Sequence, residues 1–121
     1  MPIVDVEIVG AAPRAAGVAA LADALGAALG CAPGRAWVRL RHLAADGYAE
    51  NATPAPDGAA DFPVFVTVLH ARPPAGATLD AEVGAITRAV AAWAGRSAER
   101  VHVLYAPAGV GRQAFGGVLL R

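Results

Sequence analysis

Apolar and polar positions alternate from Ile3 to Val9, with Val4, Val6 and Ile8 on one side and Asp5 and Glu7 on the other. That period of two predicts a strand with one buried face. After a turn signal at Gly10 to Pro13, the apolar residues Val18, Leu21, Leu25 and Leu29 recur at helical spacing on an Ala-rich background. Gly30 and Pro33 stop this helix. Alternation returns over Ala36 to Leu43, with Val38 and Leu40 on one face and Trp37, Arg39 and Arg41 on the other. Ala44 to Asp61 holds Gly, Pro, Asn and Asp with few large apolar residues, which predicts a loop. Its length is unusual for a compact domain and makes it a candidate binding or lid segment.

The series then repeats. Pro63 to Leu69 reads as a strand, Arg72 to Thr78 as a Pro/Gly turn, and Leu79 to Ala94 as a helix with Val83, Ile86, Val90 and Trp93 on one stripe. Thr78 is placed to cap that helix, and Asp80 and Glu82 to sit in its first turn, where the macrodipole favours acids. Gly95 closes it, and Val101 to Tyr105 is the fourth strand. The Gly-rich tail from Pro107 to Arg121 offers Val118, Leu119 and Leu120 as a short edge strand.

The order is therefore β-α-β, long loop, β-α-β, one α/β domain over residues 1–121 with repeats at about 2–45 and 62–121. Pro2 and Pro63, 61 positions apart, each open a strand that is followed by a turn, a helix, a Gly stop and a second strand. Each crossover should be right-handed and pair its two strands in parallel. A four-stranded sheet with two helices on one face leaves its other face bare. The apolar alternation on both faces predicts that the bare face is covered by further copies of the chain.

Composition narrows the function. Ten Lys+Arg against ten Asp+Glu give a formal net charge of zero, which argues against a nucleic-acid or anionic-membrane surface as the main business. All ten basic residues are Arg and Ala supplies about a quarter of the chain, usage that points to a GC-rich bacterial genome. The 56% hydrophobic content is inflated by Ala, and no apolar run approaches the ~20 residues of a membrane span. Met1 to Asp5 lacks a basic or apolar leader region, so no secretory signal is expected. A single cysteine excludes a disulfide framework and fits a reducing cytoplasm, where the sequon Asn51-Ala52-Thr53 carries no meaning.

Pro2 carries the most distinctive chemistry. Removal of Met1 would leave a rigid secondary amine at the start of a strand. α-Amino groups titrate near ~8, and burial or a nearby Arg lowers that value toward a neutral base at pH 7. A Met-Pro start is also common with no catalytic meaning.

Pro2 opening Ile3-Val4-Asp5-Val6-Glu7-Ile8-Val9 in a duplicated βαβ chain of this length resembles the tautomerase superfamily. That superfamily includes 4-oxalocrotonate tautomerase, 5-carboxymethyl-2-hydroxymuconate isomerase and macrophage migration inhibitory factor. Phe65-Val66-Thr67-Val68-Leu69-His70-Ala71-Arg72 is similar to the third strand of its isomerase and dehalogenase branches. Ser97-Ala98-Glu99-Arg100-Val101-His102-Val103 resembles the entry to the cytokine's fourth strand, and Gly111 to Gly117 is similar to the glycine-bearing end of the short tautomerase chain. The likeness spans the chain except Ala44 to Asp61.

The resemblance implies a homotrimer, no cofactor, and a small enol or 2-oxo acid as substrate, its carboxylate held by arginine. It makes Pro2 the general base or acid and Arg72 the carboxylate clamp. It makes His102 a contribution from a neighbouring subunit, where the family has Arg or Tyr. Cys31 stands where the cytokine has a lysine, and Ala11, with Arg14 nearby, occupies the first-half position equivalent to Arg72. Pro63 is internal, so its nitrogen is an amide and each chain has one competent proline. An Arg beside Pro2 can bind a carboxylate bidentately and depress the prolyl pKa at once.

Other residues have two readings each. Arg39 and Arg41 beside Trp37 either reach an adjacent site or are interface and surface charges. Arg112 in the tail can approach a pocket. Cys31 either packs or lines the pocket, and Tyr48 and Glu50 either close over substrate or face solvent. His42 and His70 read as strand-end polar residues. The three histidines and one cysteine show no metal spacing. Gly109-Val110-Gly111 has no room after it for the helix and second strand of a dinucleotide site. Two alternatives stay open. One is hydration or dehalogenation of a short unsaturated acid, which needs an acid to activate water, absent after Pro107 unless Glu50 serves. The other is a non-catalytic trimer that binds a ligand.

Overall fold

The computed structural model describes residues 1–11 and 17–121; Pro13 and Arg14 of the first turn lie outside this range. The elements are β1 (Ile3–Val9), α1 (Val18–Ala28), β2 (Trp37–Leu43), β3 (Val64–Leu69), α2 (Gly76–Ala94) and β4 (Val101–Tyr105), then the short strands β5 (Ala114–Phe115) and β6 (Val118–Leu119). The first four strands form one sheet in the order β2-β1-β3-β4. β1 pairs in parallel with β2, β3 in parallel with β4, and the two halves meet antiparallel at β1 and β3, with Val6 opposite Val66. The duplication seen in the sequence is thus a two-fold relation in space. Each strand end of one repeat lies beside the opposite strand end of the other.

Strand alternation divides the sheet as the sequence pattern requires. Val4, Val6, Ile8, Val64, Val66 and Val68 point to one side and pack under Leu21 and Leu25 of α1 and Ile86, Val90 and Trp93 of α2. These side chains are all buried, and complete burial of each aliphatic one contributes about 1.5–3 kcal/mol. The two helices also touch each other over this side. Among the described residues no helix is long and apolar enough to cross a membrane.

The outward face is only partly apolar. Trp37, Phe65 and Leu104 are exposed, Leu104 at 65%. Between them Asp5 faces Arg39 and Glu7 faces Arg41 across the β1–β2 pair. The alternation anticipated the bare face but overstated its greasiness.

Three local expectations are corrected. Helix α2 starts at Gly76, three residues early, with Ala75 as its N-cap and no side-chain cap; Thr78 is inside the first turn and Asp80 and Glu82 lie beyond it. Ala77-Thr78 are good enough helix formers that the turn signal ends at the Pro-Pro pair. Val18 belongs to the α1 stripe by spacing but is 45% exposed, because it sits at the fraying first position. The tail does not add an edge strand to the sheet. Gly116 and Gly117, both with positive φ, make a two-residue turn that folds β5 onto β6 as a separate hairpin. Ala44 to Asp61 is a loop without strand or α-helix, as its composition predicts. It contains 3₁₀ turns at Ala45–Gly47 and Ala59–Asp61, and its Tyr48 lies against the outward face.

Arg96, just past the left-handed Gly95 that ends α2, is buried beside the far end of β1. Its guanidinium donates to the carbonyls of Val9, Ala11 and Phe62 and so ties the end of β1 to the start of the second repeat. Burial lowers its pKa from the ordinary Arg value, with the nearby Arg100 adding to the effect. Trp93 Nε1 donates to Gly17 O at 3.2 Å and fastens the start of α1 to the same end.

Candidate functional site

The register places the candidate residues at two ends of the sheet. Ile3 pairs with Trp37 and with Leu69, so the start of β1, the start of β2 and the end of β3 converge. Pro2 is buried there, and its carbonyl accepts from Trp37 N at 3.1 Å. Arg72 follows the end of β3, exposed, with one Nη donating to the main-chain oxygen of Arg121 at 3.0 Å. The tail crosses this same end, because Gly109 N donates to His70 O and Val110 N to Ala71 O. It continues until Phe115 meets Trp37 edge-on, ring centroids 5.2 Å apart. Arg112 is exposed in this crossing segment. Pro2, Arg72 and Arg112 therefore share one end of the sheet.

Cys31 is close to that end without being part of it. It lines a cavity of about 470 Å³ between α1 and residues 31–36, whose walls are mostly Ala and Gly with Asp23; Pro2 is not in the wall. The segment is tied to the chain start through Arg35, whose Nη1 approaches Met1 Sδ at 3.6 Å.

His102, Tyr48 and Glu50 lie elsewhere. His102 pairs with Phe65, which pairs with Glu7, so it occupies the outward face toward the Pro63 end, opposite to Pro2. Within one protomer it does not meet Pro2. Its ring lies 5.7 Å from Phe65, which is also 6.2 Å from Tyr48. The Tyr48 hydroxyl donates to Glu50 Oε2 at 2.7 Å, and Arg100 Nη2 reaches the same oxygen at 3.3 Å. The Tyr48 hydrogen bond, then Arg100, holds the Glu50 carboxyl below the ordinary Glu range, and Glu50 in turn raises the Tyr48 phenol.

Arg39 is already engaged. Its Nε and Nη2 grip Asp5 Oδ1 and Oδ2 at 2.5 and 2.7 Å in a side-on fork. That hydrogen bonding, with the Arg39 charge behind it, lowers the Asp5 pKa against a smaller opposing effect of burial.

Two features at the Pro2 end were not singled out from sequence. His70 was read as a strand-end polar residue, but its Nε2 lies 2.9 Å from Glu82 Oε2. The Tyr105 hydroxyl donates to that same oxygen at 2.5 Å, and the His70 and Tyr105 rings stack 6.1 Å apart. Burial, then the Glu82 hydrogen bond, pushes the Tyr105 phenol above its ordinary range. The second feature is Gln113, only 6% exposed, whose side-chain oxygen and nitrogen find no hydrogen-bond partner among the described residues. The available signal for His70 was its parity: it continues the buried series Val64, Val66, Val68. Gln113 left no such signal. Among the described residues no cluster of His, Cys, Asp and Glu is arranged to hold a metal ion.

No protein-family model matches the chain, and no curated protein matches it by sequence. Solved structures do match. A native fused 4-OT superposes with a TM-score of 0.76 at 16% identity, covering 97% of this chain and 94% of that one, and another fused 4-OT structure is a symmetric trimer. Macrophage migration inhibitory factor from Oncomelania hupensis gives 0.69 at 21% identity, covering 100% and 83%. Malonate semialdehyde decarboxylase gives 0.65 at 17% identity, covering 94% and 90%. The chain has the fold of these structures, the fold that the sequence resemblance implied.

Proposed function

We propose that the chain is a cofactor-independent tautomerase or isomerase acting on a small 2-oxo acid or its enol, assembled as a homotrimer. The observation that carries this reading is the convergence of Pro2 and Arg72 at one sheet end, in a fold shared with fused 4-OT. After loss of Met1, the prolyl nitrogen is a secondary amine that takes a proton from one atom of the substrate and returns it to another. Arg72 exchanges its main-chain oxygen partner for the substrate carboxylate, and its positive charge steadies the enolate. Arg112 is the second cation within reach of that carboxylate.

The trimer supplies what one protomer separates. The outward face, with Trp37, Phe65 and Leu104 exposed, packs against neighbours, and His102 on that face then completes a neighbour's Pro2 site. Tyr48 travels with it. Arg39, committed to Asp5, contributes to interface charge rather than to substrate binding. Cys31 stays at the margin of the pocket.

A hydratase reading is favoured by one feature, Glu50 held between Tyr48 and Arg100 near His102, since a carboxylate there is positioned to activate water. The test is the ketonisation of an arylenolpyruvate and of 2-hydroxymuconate, followed by ultraviolet absorbance, for the native protein and Pro2→Ala. A rate well above buffer that collapses in the variant supports the tautomerase reading. Rates equal in both, with Met1 absent by intact mass, exclude it; hydration of an acetylenic acid that depends on Glu50 would then favour the hydratase.

A further inference from the structure

The site as proposed uses one proton carrier, yet the Pro2 end of the sheet holds a second titratable assembly. Continuing the antiparallel register one step past Ile3–Leu69 sets Pro2 across from His70. Strand alternation turns both side chains toward the helices, as it does Val4 and Val68. His70 and Glu82 retain only 15% and 13% side-chain exposure.

One carboxylate oxygen of Glu82 faces both the His70 Nε2 and the Tyr105 hydroxyl. A carboxylate only accepts, so both neighbours must donate, and the imidazole carries its proton on Nε2. In the neutral imidazole the other ring nitrogen, Nδ1, is then an acceptor with its lone pair directed away from Glu82. Tyr105 stacks along the ring and keeps its plane fixed. Among the described residues, Glu82 from α2 and Tyr105 from β4 face the imidazole, and Arg72 stands two residues along the chain. A surface histidine placed only to fill a strand end would need none of this support.

We propose that His70, held in one tautomer by Glu82 and Tyr105, is the second proton carrier of the Pro2 site. The inference rests on the tautomerase reading above. In the ketonisation direction the prolyl ammonium delivers its N–H proton to the substrate carbon. The enol O–H bond breaks, its proton passes to His70 Nδ1, and its electron pair forms the carbonyl. The products are ketone, neutral proline and an imidazolium facing Glu82. One proton then returns from His70 to Pro2, and the enzyme is restored with no co-reactant. Two carriers allow the proton to arrive at carbon and leave oxygen without Pro2 having to visit both atoms.

Three variants and one spectroscopic measurement test this. Imidazole nitrogen chemical shifts of nitrogen-15 labelled protein should show the neutral form of His70 as the Nε2–H tautomer, and Glu82→Gln should abolish that preference. His70→Gln should lower kcat about 100-fold with KM changed less than about threefold, the size expected for loss of one positioned acid or base. Tyr105→Phe, which keeps the ring, should lower kcat by a smaller factor and is the variant least able to disturb folding. An Nδ1–H tautomer in the native protein overturns the inference. So does a His70→Gln kcat within threefold of native while Pro2→Ala is inactive, and in that case the tautomerase reading stands. Native activity indifferent to both substitutions, or absent, removes the tautomerase reading and this inference with it.

Discussion

Arg39 holds Asp5 through two parallel hydrogen bonds in the middle of the outward sheet face, the only place where β1 and β2 present opposite charges in a side-on fork among the described residues. Arg39 is 61% exposed and Asp5 28%, so solvent screens the pair and weakens its contribution. The Asp5 pKa is depressed in the folded state. Its stabilisation is therefore present above the unfolded Asp value near ~3.9 and is lost as pH falls through the lower folded value. A double-mutant cycle of Asp5→Asn and Arg39→Met in urea should give a favourable coupling at pH 7 that shrinks as the pH is lowered into the acid range.

Arg72 is exposed, and among the described residues its one side-chain hydrogen bond is to the main-chain oxygen of Arg121, a partner that a ligand carboxylate can replace. Arg72→Ala should raise KM for a carboxylate substrate about 10- to 100-fold, as expected for a charge-assisted hydrogen bond of about 1.5–3 kcal/mol. Inhibition by the corresponding neutral ester should change little. Steady-state kinetics with acid and ester together decide this.

Both tyrosines resist ionisation, each because it donates to a carboxylate, with burial the larger cause at Tyr105. A raised folded pKa contributes stability below the unfolded value near ~10 and loses it as pH rises through the folded value. Phenolate absorbance should therefore lag behind that of a free tyrosine, and its rise at Tyr105 should coincide with loss of helical circular dichroism. Glu82→Gln should bring that transition to lower pH.

Arg96 makes a prediction about stability alone. Arg96→Met leaves the carbonyls of Val9, Ala11 and Phe62 without their donor, each costing about 1–3 kcal/mol unless water reaches it. Thermal unfolding should show a loss of about 3 kcal/mol or more. The lesion is at the Pro63 end, so the Pro2 end keeps its geometry.

What the residues disclosed in advance follows from the range of the interactions. The alternation of Val4, Val6 and Ile8 is local, and it predicted β1 to the residue. That Pro2 leads into β1 and Arg72 follows β3 was legible because both are positions beside locally patterned strands. The Glu82 cluster was not, since His70, Glu82 and Tyr105 meet only when β3, α2 and β4 pack together. The tail hairpin was legible and missed: Gly116-Gly117 between short apolar pairs is a two-residue turn signal. In the proposed trimer His102 and Tyr48 would reach a site only through contacts between chains, which no single-chain pattern encodes.

The central claim is that a free prolyl amine does the chemistry, and blocking it with one amide bond tests that most directly. The ketonisation rate should be measured for protein confirmed by intact mass to start at Pro2, and for the same chain retaining one extra residue before it. The extended form should be slower by at least about 100-fold, the contribution of one positioned acid or base, with the fold unchanged by circular dichroism. Equal rates for the two forms would contradict the central claim.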